Sequence, residues 1–121
     1  MACVLVVDDE LVVRDLVMRM VKIMRHQVYG AENGVAALSV LDKVPVDLIL
    51  SDLRMPVMDG AGLLTALRTQ GDQTPFIAMS GYGRQTGMFG IFSVDDFIDK
   101  PFMLSDLTAA VNRVLASKVT V

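Results

Sequence analysis

The sequence predicts an α/β fold built from βα units around a parallel sheet. Short apolar runs alternate with longer amphipathic stretches along the whole chain, which is the pattern of such units. One run, residues 47–51, is apolar on both faces, as expected of a central strand in a parallel sheet. The 121 residues are enough for one domain with its own core, so we expect a single domain over residues 1–121.

The first half of the chain predicts three strands, at residues 3–8, 27–31 and 47–51. Apolar residues at helical spacing indicate a helix after the first strand, and they are Leu11, Val12, Leu16, Met20, Ile23 and Met24. The second helix follows the turn Glu32-Asn33-Gly34. It ends before Pro45, because proline cannot continue a helix.

The second half predicts a helix at residues 60–69 and two further strands, at residues 76–79 and 96–98. The last helix is expected at residues 105–116, with Ser105 as its N-cap. Its inward face is predicted to consist of Leu107, Val111, Val114 and Leu115.

Residues 81–92 are predicted to form a weak fourth helix, because they hold four glycines. An interior glycine costs about 1 kcal/mol relative to alanine. We expect this helix to be short or irregular. It is either a plastic partner-binding surface or a degenerate helix packed on the sheet.

Composition excludes several classes of protein. The net charge of −3 offers no basic surface for nucleic acid or an anionic membrane, so we expect direct contact with neither. No apolar stretch approaches the roughly 20 residues of a membrane helix. The single cysteine, Cys3, cannot form an internal disulfide, and no signal peptide is visible. We therefore expect a cytoplasmic protein.

Charged residues follow three of the apolar runs, where the predicted strands end. Asp8 and Asp9 follow the first run, Asp52 follows the third, and Lys100 follows the fifth, just before Pro101. The carboxyl ends of parallel strands share one edge of the sheet, and ligands in open α/β sheets bind there. The sequence therefore predicts that these residues form one site.

The charges of this site indicate a cation and a phosphoryl group. Three carboxylates and one lysine carry a formal charge of −2, and hard oxygen ligands suit Mg²⁺, which we expect as the cofactor. Asp52 is the best candidate for a nucleophile that forms an acyl phosphate. Lys100 and the hydroxyl of Ser80, at the end of the fourth strand, would then engage the added oxygens.

Four segments match one family: 6–10 (VVDDE), 47–60 (DLILSDLRMPVMDG), 79–81 (MSG) and 95–102 (DDFIDKPF). In this order and at these spacings they strongly resemble a response-regulator receiver domain, over essentially the whole chain. The resemblance implies a flavodoxin-like, doubly wound sheet of five parallel strands in the order 2-1-3-4-5, with five helices.

The resemblance also implies the chemistry of the site. Asp52 would accept a phosphoryl group from a histidine kinase, a phosphotransfer protein or a small donor such as acetyl phosphate. Lys100 would pair with that group, and Ser80 and the backbone N–H groups of Leu53 and Gly81 would hydrogen-bond it. Mg²⁺ would be held by Asp9, Asp52 and the backbone carbonyl of Arg54, with Asp8 acting partly through water.

The resemblance further implies a switch and an output surface. Phe97, where many members have tyrosine, would turn inward behind Ser80, and the Lys100-Pro101 peptide bond would be cis. The chain would signal to a downstream protein through the face formed by its fourth helix, fifth strand and fifth helix. It would be a switch and not an enzyme, at most catalysing its own phosphorylation and dephosphorylation.

Other interpretations remain open from the sequence. The chain could be a receiver excised from a larger DNA-binding regulator or hybrid kinase, although its start at Met1 argues against a preceding domain. An aspartate-dependent phosphatase uses the same chemistry, but it needs a second aspartate two residues after Asp52, where Arg54 stands. A flavin carrier needs a phosphate-cradling loop after the first strand, where Asp8 and Asp9 would repel the phosphate.

Overall fold

A computed structural model of the chain describes residues 1–81 and 94–117. Its five strands are β1 (Cys3–Val7), β2 (Gln27–Ala31), β3 (Leu48–Asp52), β4 (Phe76–Ser80) and β5 (Asp96–Asp99). All neighbours are parallel, in the order β2-β1-β3-β4-β5. The predicted sheet is therefore confirmed, with strand ends shifted by at most one residue.

The described part of the chain contains four helices: α1 (Leu11–Ile23), α2 (Gly34–Lys43), α3 (Gly60–Thr69) and α4 (Leu104–Ser117). The predicted weak helix in residues 81–92 falls almost entirely outside the described residues. None of the helices in residues 1–81 and 94–117 has the length and apolar character needed to cross a membrane.

The sheet is the middle layer of three, because successive strand residues point to opposite faces. In β1, Val4 and Val6 face one side, whereas Leu5 and Val7 face the other. The first side is covered by α1 and α4, through the buried residues Val17, Val21, Leu107, Ala110, Val111 and Val114. The second side is covered by α2 and α3, through Ala37, Leu63, Leu64 and Leu67.

The apolar residues that indicate α1 in the sequence are not all on the face that it buries. Val17 and Val21 are buried, with Met20 and Met24 packed partly against them. The other four residues of the predicted set, Leu11, Val12, Leu16 and Ile23, are exposed. Because α1 carries apolar residues on more than one side, their spacing does not decide which side docks on the sheet.

The prediction that Ser105 caps the last helix is wrong, because α4 begins at Leu104. The Asp106 carboxylate accepts the Met103 N–H at 2.9 Å, so a side chain inside the first turn satisfies this end of the helix. Side-chain caps do begin the two preceding helices. Asn33 accepts the Ala36 N–H in α2, and Asp59 accepts the Gly62 N–H in α3, both at 2.8 Å.

Gly60 allows the loop after β3 to fold tightly onto that strand. Its N–H donates to the Leu53 carbonyl at 3.1 Å. A Cβ atom at this position would lie 2.4 Å from the Asp52 carbonyl oxygen and 3.0 Å from the Leu53 Cα. Both are backbone atoms of the segment that carries the predicted phosphoacceptor, so a larger residue would displace it.

We expect Gly60→Ala to lower the free energy of unfolding by about 1 to 3 kcal/mol through this overlap. Gly62→Ala is the matched control in the same helix. Its Cβ would meet only side-chain atoms, Asp59 Oδ1 and Met58 Cγ, at 3.2 Å, and alanine is the better helix former by roughly 0.5 to 1 kcal/mol. Urea unfolding measures both variants, and equal stability of the two would contradict the prediction.

Candidate functional site

The register of the sheet brings the predicted acidic residues together. Val7 of β1 pairs with Ser51 of β3, so the following residues, Asp8 and Asp52, stand level at the carboxyl edge. Asp9 is next along the chain. Carboxylate oxygens of the three aspartates all lie within 4.8 Å of one another. The juxtaposition expected from the strand ends is present in the structure.

Lys100 reaches this cluster from the end of the edge strand β5, which β4 separates from β3. It follows β5, its backbone N–H donates to the Ser80 carbonyl at 2.8 Å, and its peptide bond to Pro101 is cis, as expected. Its Nζ lies 2.9 Å from Asp8 Oδ2 and 3.4 Å from Asp52 Oδ2. The side chain therefore extends past the end of β4 to the carboxylates.

Asp8 is held more firmly than the other two aspartates. Its side chain is fully buried, its Oδ2 accepts from Lys100, and its Oδ1 accepts the Glu10 N–H at 3.0 Å. A buried carboxylate needs such partners, because desolvation of an unpaired charge is very costly. Asp9, by contrast, is exposed at the mouth of the site.

The electrostatics of the site disfavour a negative charge on Asp52. Burial raises the pKa of the Asp52 carboxyl above its ordinary value, and the nearby Asp8 charge raises it further, against the opposing effect of Lys100. Burial disfavours the Lys100 charge as well. The hydrogen bond to Asp8 and the charges of both carboxylates outweigh that effect, so the pKa of Lys100 is raised above its usual range.

The donor set fits a small divalent cation. Three carboxylate oxygens are hard ligands, and Mg²⁺ combines a few such ligands with retained waters. Within residues 1–81 and 94–117 these aspartates are the one group of acidic, histidine or cysteine side chains close enough to hold a metal ion. A shallow concavity lined by Asp9, Arg54, Met55, Pro56 and Asp59 opens beside them.

The backbone N–H groups around Asp52 have different surroundings in this structure. The Leu53 N–H donates to the Met79 carbonyl at 3.1 Å, within the sheet, so it does not face the site in this structure. The neighbouring Arg54 N–H is the one that bonds to the Asp52 carboxylate. Gly81 follows β4 directly, and a Cβ built on it would lie 4.0 Å from the Lys100 Cβ.

Ser80 and Phe97, the predicted switch residues, lie on neighbouring strands. Ser80 is buried at the end of β4, one residue beyond the partner of Asp52. Phe97 is buried on β5 opposite Ala78, in the core that α2 and α3 cover. The structure thus places Ser80 at the edge that carries the site and Phe97 two positions further into the sheet, and movement of either remains a prediction.

Sequence reasoning missed one residue of the site. Arg14 of α1 donates from its Nη1 to the backbone carbonyl of Asp8 at 2.7 Å. A basic residue one turn into an amphipathic helix is ordinary, and no spacing rule signals a contact back to the preceding strand. Only the folded geometry identifies it.

Comparisons with known proteins agree with this geometry. The family profile described as the response regulator receiver domain matches residues 4–112. The probable transcriptional regulator ycf27 of Pyropia yezoensis is 36% identical over an alignment of 123 positions, which covers 97% of this chain and 49% of that protein. This chain spans about half the length of the first curated relatives that it matches.

Solved structures show the same architecture. The Vibrio cholerae chemotaxis protein CheY4 superposes with a TM-score of 0.87 and 30% identity, over 94% of this chain and 98% of that one. The receiver domain of the Pseudomonas aeruginosa sensor histidine kinase PA1611 gives a TM-score of 0.87 over 95% of this chain and 98% of that one. It was solved with a magnesium ion coordinated in its active site cleft, and at 24% identity it supports the fold alone.

The profile match covers most of the chain, the sheet has the expected order, and three aspartates and a lysine meet at its carboxyl edge. The chain therefore belongs to the response regulator receiver domains, the signalling modules of two-component systems.

Proposed function

We propose that this protein is a phosphorylation-activated switch in which Asp52 accepts a phosphoryl group from a histidine kinase or a phosphotransfer protein. The observation that carries the proposal is the position of the Asp52 carboxylate. It is buried at the end of β3, 3.4 Å from the Lys100 ammonium and within a cluster of three aspartates. Asp8 shares the burial and the lysine, but it is fully buried and takes the shorter contact with Lys100, 2.9 Å, so Asp52 is the carboxylate nearer the open side of the site.

In the proposed reaction a carboxylate oxygen of Asp52 attacks the phosphorus atom of the donor. The bond from phosphorus to the donor's imidazole nitrogen, or to the acetate oxygen of acetyl phosphate, breaks as the acyl phosphate forms. Lys100 then turns from the Asp52 carboxylate to the phosphoryl oxygens, and the Arg54 N–H is placed to follow. Such charge-assisted hydrogen bonds are about twice as strong as neutral ones.

Asp8, Asp9, Asp52 and the Arg54 backbone carbonyl are the groups that would hold Mg²⁺. When bound, the ion would neutralise charge on the carboxylates and on the incoming phosphoryl oxygens. Asp8 is also tied to Lys100, so it keeps the lysine within reach of Asp52 before and after transfer.

The output side of the switch would be read from Ser80 and Phe97. Ser80 would hydrogen-bond the phosphoryl group, and the Phe97 ring would repack behind it, changing the face formed by β5, α4 and the predicted helix of residues 81–92. That helix lies almost entirely outside the described residues. A cytoplasmic location also remains our proposal, supported by the free, buried thiol of Cys3.

The surface of α1 supports a protein as the natural donor. Leu11, Val12 and Leu16, which we call the α1 patch, are 67%, 80% and 53% exposed. They lie in the first two turns of α1, which begins two residues after Asp9, and Leu16 borders a groove with Lys100 and Phe102. Exposed apolar residues grouped beside a site are typical of protein contacts.

A receiver within a larger regulator is the second candidate. The relatives include probable transcriptional regulators about twice as long as this chain. Phosphorylation of Asp52 would then control a DNA-binding or kinase part elsewhere in the same protein. Both candidates share the chemistry of the site and differ only in what reads it.

Intact-mass measurement after incubation with acetyl phosphate and Mg²⁺ tests the acceptor. We expect the wild-type protein to gain the mass of one phosphoryl group, and Asp52→Asn to gain none, because an amide cannot form the acyl phosphate. Asp99→Asn is the matched control, since Asp99 ends β5 at the same edge but is exposed and outside the cluster. An equal gain on Asp52→Asn would show that Asp52 is not the acceptor.

The donor surface is tested by placing a charge in the α1 patch. We expect Leu16→Glu to slow phosphoryl transfer from a phosphotransfer protein about tenfold, as loss of a contact worth about 1.4 kcal/mol would, and to leave the acetyl phosphate reaction unchanged. Ile23→Glu is the control, since Ile23 is also exposed, at 67%, and lies at the other end of α1. Equal slowing by both variants, or slowing with acetyl phosphate as well, would contradict a protein donor on this surface.

A further inference from the structure

We infer that Arg14 is a positioning residue for the metal ligands, and that it acts on them through the peptide bond between Asp8 and Asp9. The inference rests on the proposed function, because it concerns the Mg²⁺ that the three aspartates would hold. It assigns a role to a side chain that touches neither the metal nor the phosphoryl group.

The first observation is the hydrogen bond from Arg14 Nη1 to the Asp8 carbonyl oxygen, at 2.7 Å. That oxygen belongs to the peptide unit whose other end is the nitrogen of Asp9. Because a peptide unit is planar, fixing its oxygen fixes the direction in which the chain continues to the Asp9 Cα. Asp9 itself is exposed, so its carboxylate depends on the backbone for its position.

The second observation is that Arg14 completes a set of contacts around Asp8. The Asp8 N–H donates to the Ala31 carbonyl at 3.1 Å, and the two carboxylate oxygens accept from Glu10 and Lys100. The carbonyl oxygen is the remaining polar atom, and Arg14 supplies its charged donor. Hydrogen bonds from a charged group contribute about 1.5 to 3 kcal/mol, more than neutral ones.

The third observation is the route that the Arg14 side chain takes. Its stem crosses β2 at Gly30, where a Cβ would lie 3.4 Å from Arg14 Cδ and 2.8 Å from Met18 Sδ. Arg14 is half-buried along this path. The glycine leaves room for the arginine to run back from α1 to the end of β1, so the contact is built into the packing of α1 on the edge strand.

A positioning role and a purely electrostatic role of Arg14 predict opposite changes in Mg²⁺ affinity when the arginine is replaced. Arg14 carries a positive charge close to a site for a cation, so removing that charge alone would tighten Mg²⁺ binding. Loss of the fixed Asp8-Asp9 peptide would weaken it, because the ligands would have to be ordered on binding. A purely structural role would lower the stability of the metal-free protein and leave the Mg²⁺ affinity as it was.

The test is the dissociation constant of Mg²⁺, measured by titration calorimetry, together with urea unfolding in EDTA. Arg14→Met keeps the apolar stem over Gly30 and removes the donor. Arg14→Lys keeps a charge and a donor. Arg19→Met is the matched control, because it removes the same charge from the same helix at an exposed residue paired with Asp15 at 3.0 Å.

We expect Arg14→Met to raise the Mg²⁺ dissociation constant about 3- to 10-fold. Mutating a group that hydrogen-bonds to a metal ligand typically weakens metal binding about 10- to 100-fold, so this is at or below the lower end of that range. Arg14→Lys should restore most of the affinity, and Arg19→Met should stay within about twofold of wild type. If Arg14→Met bound Mg²⁺ as tightly as wild type or more tightly, or if Arg19→Met were weakened to the same extent, the role of Arg14 would be overturned. The metal site of the proposed function would stand. A wild-type protein that does not bind Mg²⁺ would overturn both this role and the metal site of the proposed function.

Discussion

Three carboxylates share one lysine at the carboxyl edge of the sheet, so the site carries an excess of negative charge. The burial and contacts of each aspartate determine where that excess charge lies. Asp8 is fully buried and takes the shorter contact with Lys100, 2.9 Å, whereas Asp52 takes the longer one, 3.4 Å. A carboxylate that is completely removed from water must keep its counter-charge. Uncompensated negative charge is therefore left on Asp52 and Asp9, the two aspartates nearer the open side of the site. Asp8 serves as the anchor of the lysine, and Asp52 remains available for chemistry.

The same imbalance links the site to the stability of the fold. Because the pKa of Asp52 is raised by burial and by Asp8, the folded protein binds the Asp52 proton more tightly than the unfolded chain does. The resulting stabilisation is fully present below the unfolded pKa of 3.8 and is lost as the pH rises through the folded pKa. At neutral pH the ionised carboxylate lowers the free energy of unfolding. A cation that binds only the folded site offsets this effect, by about 1.4 kcal/mol at ten times its dissociation constant.

The sequence predicts the sheet well because its strands are continuous apolar runs between turn residues, and the site because charged residues follow those runs. It predicts less well whatever depends on packing between elements. The spacing of apolar residues in α1 cannot tell the buried Val17 from the exposed Leu16, because the helix carries apolar residues on more than one side. Both Ser105 and Asp106 are residue types that occur at helix starts, and in the structure it is Asp106 that accepts the Met103 N–H. The Arg14 contact to Asp8 depends on the path of one long side chain over Gly30, which no local pattern encodes.

The central claim is that Lys100 only partly compensates the charge of the Asp52 carboxylate, and a pH titration of its side-chain carboxyl carbon by NMR tests it most directly. Without Mg²⁺ we predict that Asp52 titrates above the ordinary aspartate value of 3.8. Added Mg²⁺ should move that titration to lower pH, because the metal binds the ionised form. Titration of Asp52 at or below the ordinary value, with no response to Mg²⁺, would contradict the account.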